Sequence, residues 1–83
     1  MRYLTYFVND HTRLDISNAM LGEEKIYYNG ALVSRKKGLP GHTHNFSVWE
    51  DNKETSYRVI TEIKWPFRIG FDIFRNGKAL LLS

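Results

Sequence analysis

The stretch Lys25-Ile26-Tyr27-Tyr28-Asn29-Gly30-Ala31-Leu32-Val33-Ser34-Arg35-Lys36-Lys37 decides the fold class of this chain. Two runs rich in β-forming residues flank Asn29-Gly30. A tight type I′ turn needs positive φ at both central positions, and Asn and Gly tolerate that best. The stretch therefore predicts a β-hairpin. The same device returns at Phe71-Asp72-Ile73-Phe74-Arg75-Asn76-Gly77-Lys78, ahead of Ala79-Leu80-Leu81-Leu82-Ser83. A third hairpin is expected between them, with arms at residues 45–50 and 55–65 around Asp51-Asn52-Lys53-Glu54. Its second arm sets Tyr57, Val59 and Ile63 against Arg58, Glu62 and Lys64, the period of two that places side chains on alternate faces of a strand.

Working outward, residues 3–8 (YLTYFV) read as a strand that is apolar on both faces and stops at Asn9-Asp10. Residues 13–20 alternate, with Leu14, Ile16 and Met20 on one face, Asn18 as its polar exception, and Arg13, Asp15 and Ser17 on the other. Gly38-Leu39-Pro40-Gly41 is a strand-breaking crossing. Nowhere does an apolar 3.6-residue period last three turns, although Asp15 to Lys25 carries a faint one. The expectation is an all-β fold: an antiparallel β-sandwich or partly open barrel of about eight strands, joined mostly by hairpins. No linker or composition shift divides the chain, so residues 1–83 read as a single domain. The matched pieces Ile26-Tyr27-Tyr28-Asn29-Gly30 and Ile73-Phe74-Arg75-Asn76-Gly77 suit either an internal duplication or two ordinary turns of a meander.

Composition bounds the class further. With 42% hydrophobic residues, the 83-residue chain can fill one small core. It contains no cysteine, which favours a reducing compartment, the cytoplasm, because small secreted domains usually need disulfides. The opening MRYLTYFVND is too short and too polar for a signal peptide, and no run approaches the roughly 18 apolar residues of a membrane span, so a soluble protein is expected. The formal charge of +3 permits an acidic partner without requiring one.

The order of pieces from Lys25 to Leu82 resembles the repeated unit of the Fas apoptotic inhibitory molecule family. There a valine-tyrosine-valine-aspartate-glycine hairpin precedes a basic strand, and an isoleucine-asparagine-glycine-lysine hairpin closes a β-sandwich. Here Ile26 to Gly30 leads into Arg35-Lys36-Lys37, then His44-Asn45-Phe46-Ser47-Val48, then Ile73 to Lys78. The chain is also similar to small bacterial proteins that share a Tyr-Tyr-Asn-Gly hairpin. The resemblance implies a non-catalytic β-sandwich acting through protein contacts, and carries no functional residue beyond the turns.

The residues themselves point the same way. There is no Cys nucleophile and no G-x-S-x-G elbow, the carboxylates are scattered, and no Gly-rich loop opens a helix to hold a phosphate, so neither an enzyme nor a bound cofactor is expected. His42 and His44, two apart on a strand, form a weak metal candidate whose alternative is a pair of polar residues opening an exposed strand. Arg35, Lys36 and Lys37 near Tyr27, Tyr28 and Trp49 would suit single-stranded nucleic acid through stacking and phosphate contacts, or would protect a sheet edge. Glu50-Asp51 reads as solvated charge at a hairpin tip. Trp65 and Phe67, around Pro66, either plug one end of the fold or contact a partner. Leu81 lies within three consecutive leucines, which need burial on both sides. A strand over residues 3–8 could supply it within one chain, and a second copy of the chain could supply it in a homodimer. The functional expectation is thus a protein-interaction module using Trp65, Phe67 and Leu81, with nucleic-acid binding as the alternative.

Overall fold

Asn29 and Gly30 adopt φ of 48° and 87°, and Asn76 and Gly77 adopt 49° and 80°, in a computed structural model that describes residues 2–18, 22–38, 41–66 and 68–83. Both expected I′ turns are present. The third hairpin turns more tightly than its sequence suggests, because Asp51 and Asn52 alone take positive φ (51° and 62°) and Glu50 pairs directly with Lys53.

The chain divides into two compact units, Met1–Pro40 and Gly41–Ser83. The first contains β1 (Arg2–Asn9), β2 (Thr12–Asn18), β3 (Glu23–Tyr28) and β4 (Ala31–Lys37), an open four-stranded sheet in the order β1-β2-β3-β4. The second contains β5 (Thr43–Glu50), β6 (Lys53–Lys64), β7 (Arg68–Arg75) and β8 (Lys78–Leu81), in the order β5-β6-β7-β8. Every pairing is antiparallel and neither sheet closes into a barrel. Met20, expected on the face of Leu14 and Ile16, lies outside the described residues, as do Leu39 and Pro40 of the crossing. Among the described residues no helix is long and apolar enough to cross a membrane.

Alternation places one buried face on each sheet. In the first unit it is built on Leu14, Ile16 and Ile26, and in the second on Tyr57, Val59 and Ile73. The two units also repeat one plan. The side chain of Asn29 accepts from the Arg13 backbone N–H at 2.7 Å, while the Asn29 N–H donates to the Arg13 carbonyl at 2.9 Å. Asn76 makes the same two contacts with Ser56, at 2.9 and 2.7 Å. The β3–β4 ladder slips one residue after Ile26, and the β7–β8 ladder slips after Ile73. Thr5 donates to Asp15 across β1–β2, and Arg58 donates to Asn45 at the matching position across β5–β6. The likeness of the two Asn-Gly hairpins therefore extends to whole four-stranded units, whose shared plan explains why composition marks no boundary between them.

Residues 3–8 are not a central strand. Among the described residues β1 pairs with β2 and β8 with β7, each at the edge of its own sheet, so β1 and β8 are not ladder neighbours. Phe7, paired with the exposed Arg13 on the face opposite Leu14 and Ile16, is 66% exposed.

The turn glycines give a direct test. A Cβ on Gly30 or Gly77 would meet no atom within 4 Å, so substitution acts through the backbone alone. Gly30→Val and Gly77→Val are each expected to cost about 1–2 kcal/mol, the price of a β-branched residue at positive φ. Urea titration measures this, and unchanged midpoints in both variants would contradict the turn geometry.

Candidate functional site

β6 is longer than its neighbour. Its twelve residues pair with β5 only as far as Ile60 opposite Thr43, whereas its pairing with β7 continues to Lys64 opposite Arg68. Glu62 to Lys64 and Arg68 to Gly70 therefore form a two-stranded ribbon beyond the β5 edge, tipped by Trp65-Pro66, whose peptide bond is cis. Period-two alternation puts Ile63 on the same side as Val59, but with no β5 partner beside it Ile63 is 55% exposed. Trp65 is 87% exposed. The alternative in which Trp65 plugs the end of the fold is thus overturned, because a plug buries its ring. Phe67 lies outside the described residues.

The ribbon is braced at its base. Lys64 donates to the Ser83 carbonyl at 2.6 Å, and its stem crosses Gly70 so closely that a Cβ there would lie 2.6 Å from Lys64 Cε. Ser83 completes the brace: its hydroxyl accepts from the Phe71 N–H and donates to the Phe71 carbonyl, replacing strand bonds that the short β8 does not make. Leu81 is half-buried opposite Ile73, while Leu82 is 64% exposed.

Arg35, Lys36 and Lys37 do not form one stripe. Arg35 pairs with Lys25 and Lys37 with Glu23 on one face, which also carries Tyr27 opposite Leu32. Lys36 pairs with Glu24 on the opposite face, where Glu24 is fully buried and itself sits opposite Asn18. A strand alternates, so three consecutive cations must split between two faces. Arg35 also lies 3.5 Å from Glu23 and Arg13 2.9 Å from Asp15, so carboxylates balance part of that face. Tyr28 lies on the buried-face side, and Trp49 belongs to the other unit.

His42 and His44 do come together, with ring centroids 6.3 Å apart in an edge arrangement. They do not open an exposed strand, however. His44 is fully buried opposite Val59, because even-numbered positions of β5 face the core of the sheet. Among the described residues no group of three potential ligands gathers around a common point. Thr61 fixes the approach to this pair, its hydroxyl accepting from the N–H groups of Gly41 and His42 at 3.1 and 3.0 Å.

Sequence reasoning missed one polar cluster altogether. Glu50 is not a solvated tip residue. It accepts from Tyr57 Oη at 2.6 Å and from Arg75 Nε at 3.0 Å, with Arg75 Nη2 as a further donor. The Glu50 side chain is only 9% exposed. The hydrogen bond to Glu50 first, and that to Tyr57 second, hold the Arg75 guanidinium above its ordinary pKa. Phe46 stacks on the Tyr57 ring at 5.3 Å. The signal lay in the two-residue turn, which keeps Glu50 inside the ladder and on the face of Tyr57 and Arg75. These contacts bind the three side chains to one another, so the cluster serves as a structural bridge.

On the opposite face of the second sheet, a concavity of about 550 Å³ is lined by Asn45, Ser47, Ser56, Arg58, Phe74 and Gly77, among others. Its floor is shallow because Ser47 pairs with Ser56, while the opposed Arg58 and Phe74 stand at one side. No carboxylate or imidazole is among the residues lining it, so it offers no acid–base pair. No family model, curated protein or solved structure matches this chain.

Proposed function

We propose that this chain is a non-enzymatic protein-interaction module that presents the tip of the β6–β7 ribbon to an apolar recess on a partner protein. The observation that carries this reading is Trp65, 87% exposed at the end of a braced two-stranded extension. Burying such a side chain on a partner yields about 2–3 kcal/mol, and tryptophan is among the residues that most often dominate interface energetics. Lys64 and Arg68, the strand pair that adjoins the tip, favour a recess rimmed by acidic groups. The cysteine-free composition suits work in a reducing cytoplasm.

Affinity capture from lysate, run in parallel with the wild type and Trp65→Ala, tests the reading. Since Trp65 buries little, the variant should melt within a degree or two of wild type yet lose a protein that the wild type retains. Identical capture by both would refute it.

A second reading keeps one specific observation in its favour. Lys25, Arg35 and Lys37 share a face of the first sheet with Tyr27, cations interleaved with an aromatic ring as in single-stranded nucleic-acid binders. Replacing these three cations with glutamine should abolish any retention on heparin, and Lys36→Gln should leave it unchanged.

A further inference from the structure

The second sheet has one edge strand that lacks the devices that keep edges from pairing. β1 carries register shifts near both ends, β4 carries a shift and the charges Arg35-Lys36-Lys37, and β8 has four residues and a shift. Bulges, charges and shortness each obstruct the addition of another strand. β5 has none of them. It runs eight residues, its ladder to β6 continues without a shift from Thr43 to Glu50, and no Lys, Arg, Asp or Glu occurs from Thr43 to Trp49.

Its free backbone groups can be assigned. The Thr61 N–H donates to the His42 carbonyl, and in an antiparallel ladder hydrogen-bonded pairs alternate with non-bonded ones. His44, Phe46 and Val48 therefore direct their N–H and C=O groups at β6. Thr43, Asn45, Ser47 and Trp49 direct theirs away from the sheet, and all four residues are exposed.

From this geometry we infer that β5 is a self-pairing edge: a second copy of the chain adds its own β5 antiparallel across a two-fold axis at Phe46, joining two four-stranded sheets into one of eight. This rests on the protein-interaction reading above but uses a different surface. Register and occupant follow from parity. Outward-facing residues must meet outward-facing residues, and the axis at Phe46 gives every one of them a partner, Thr43 with Trp49 of the second copy and Asn45 with Ser47. An axis at Ser47 would leave Thr43 without one. With no charged side chain over this span, self-pairing sets no like charges against each other, a conflict that the cationic β4 edge would create. Phe46 meets its own counterpart at a non-hydrogen-bonded position, where Cα atoms come to about 4.5 Å, and each ring is already stacked on Tyr57.

Sedimentation velocity of the full chain over a concentration series tests the pairing. The wild type is expected to form a dimer in the micromolar range. Ser47→Pro removes an outward N–H without touching the β6 ladder, and Ser47→Lys places charge near the axis; both variants should be monomeric and retain the wild-type far-UV spectrum. A wild type that stays monomeric at high micromolar concentration, or a dimer unaffected in a folded Ser47 variant, overturns the proposal. Register is read by disulfide trapping, which the cysteine-free sequence makes unambiguous. Phe46→Cys should cross-link to itself on mild oxidation and Val48→Cys should not, since Cα separations of about 4.4–6.8 Å are needed; the reverse pattern overturns the register. A monomeric Ser47 variant that still captures a partner through Trp65 separates this interface from the ribbon-tip function, whose own failure would leave the dimer intact.

Discussion

Arg75→Ala is expected to destabilise the protein by about 2–3 kcal/mol, the cost of leaving a buried carboxylate without its cation. Glu50 keeps only 9% of its side-chain surface in water, so it regains little hydration when Arg75 is removed, although Tyr57 still donates to it. Arg75 retains 35% of its own surface, and the resulting screening holds the figure below that of a fully buried bridge. The double variant Glu50→Leu/Arg75→Leu should lose less than Arg75→Ala, because it leaves no charge stranded. The guanidinium pKa is raised in the fold, so its contribution is complete below the pKa of free arginine and disappears only as pH rises through the folded-state value. The cost of Arg75→Ala should consequently be the same at pH 6 and pH 9 by urea titration. A cost below half a kcal/mol would show that Glu50 is solvated after all.

The largest losses are expected in the two cores, from Ile26→Ala and Ile73→Ala, at about 3–4 kcal/mol each. Both isoleucines are fully buried, and both sit just before the register slip in the third strand of their units. Ile26 packs between Ile16 and Ser34 in the ladder, and Ile73 between Val59 and Leu81. Truncation leaves a cavity between strands that hydrogen bonding holds at a fixed spacing, so collapse relieves little of it. Against a total stability of roughly 5–15 kcal/mol, either change brings the protein near its unfolding threshold at 37 °C. Thermal melts of the two variants check this. Equal costs would support one plan used twice, and a loss under 1 kcal/mol at either site would remove that residue from the core.

Turn chemistry made the fold legible in the sequence. Asn29-Gly30 and Asn76-Gly77 announced their geometry because few other pairs accept two consecutive positive φ values. What alternation conceals is which strands lie at an edge. The run over residues 3–8 looked central because it is apolar on both faces, yet it borders β2 alone, and the sequence contains no term for the neighbour a strand lacks. His44 and Glu50 were misjudged for a related reason. Both are polar residues that occupy core-facing positions of β5, and each is kept there by a specific partner on another strand or loop: the His42 ring, and Arg75 with Tyr57. The exposed Trp65 was visible as an anomaly, but its role depends on β6 outrunning β5, a length mismatch that only pairing reveals.

The wiring of the strands has a kinetic consequence. Among the described residues each strand pairs only with its neighbours in the chain, so each of these ladders closes a loop of two to a few residues and need not wait for distant segments to meet. The entropy of loop closure is therefore met in small steps, and contact order is low for a protein made of sheet. Folding should then run toward the fast, millisecond side of the range of all-β proteins, starting at the Asn-Gly turns, where the backbone is already committed to its native bend.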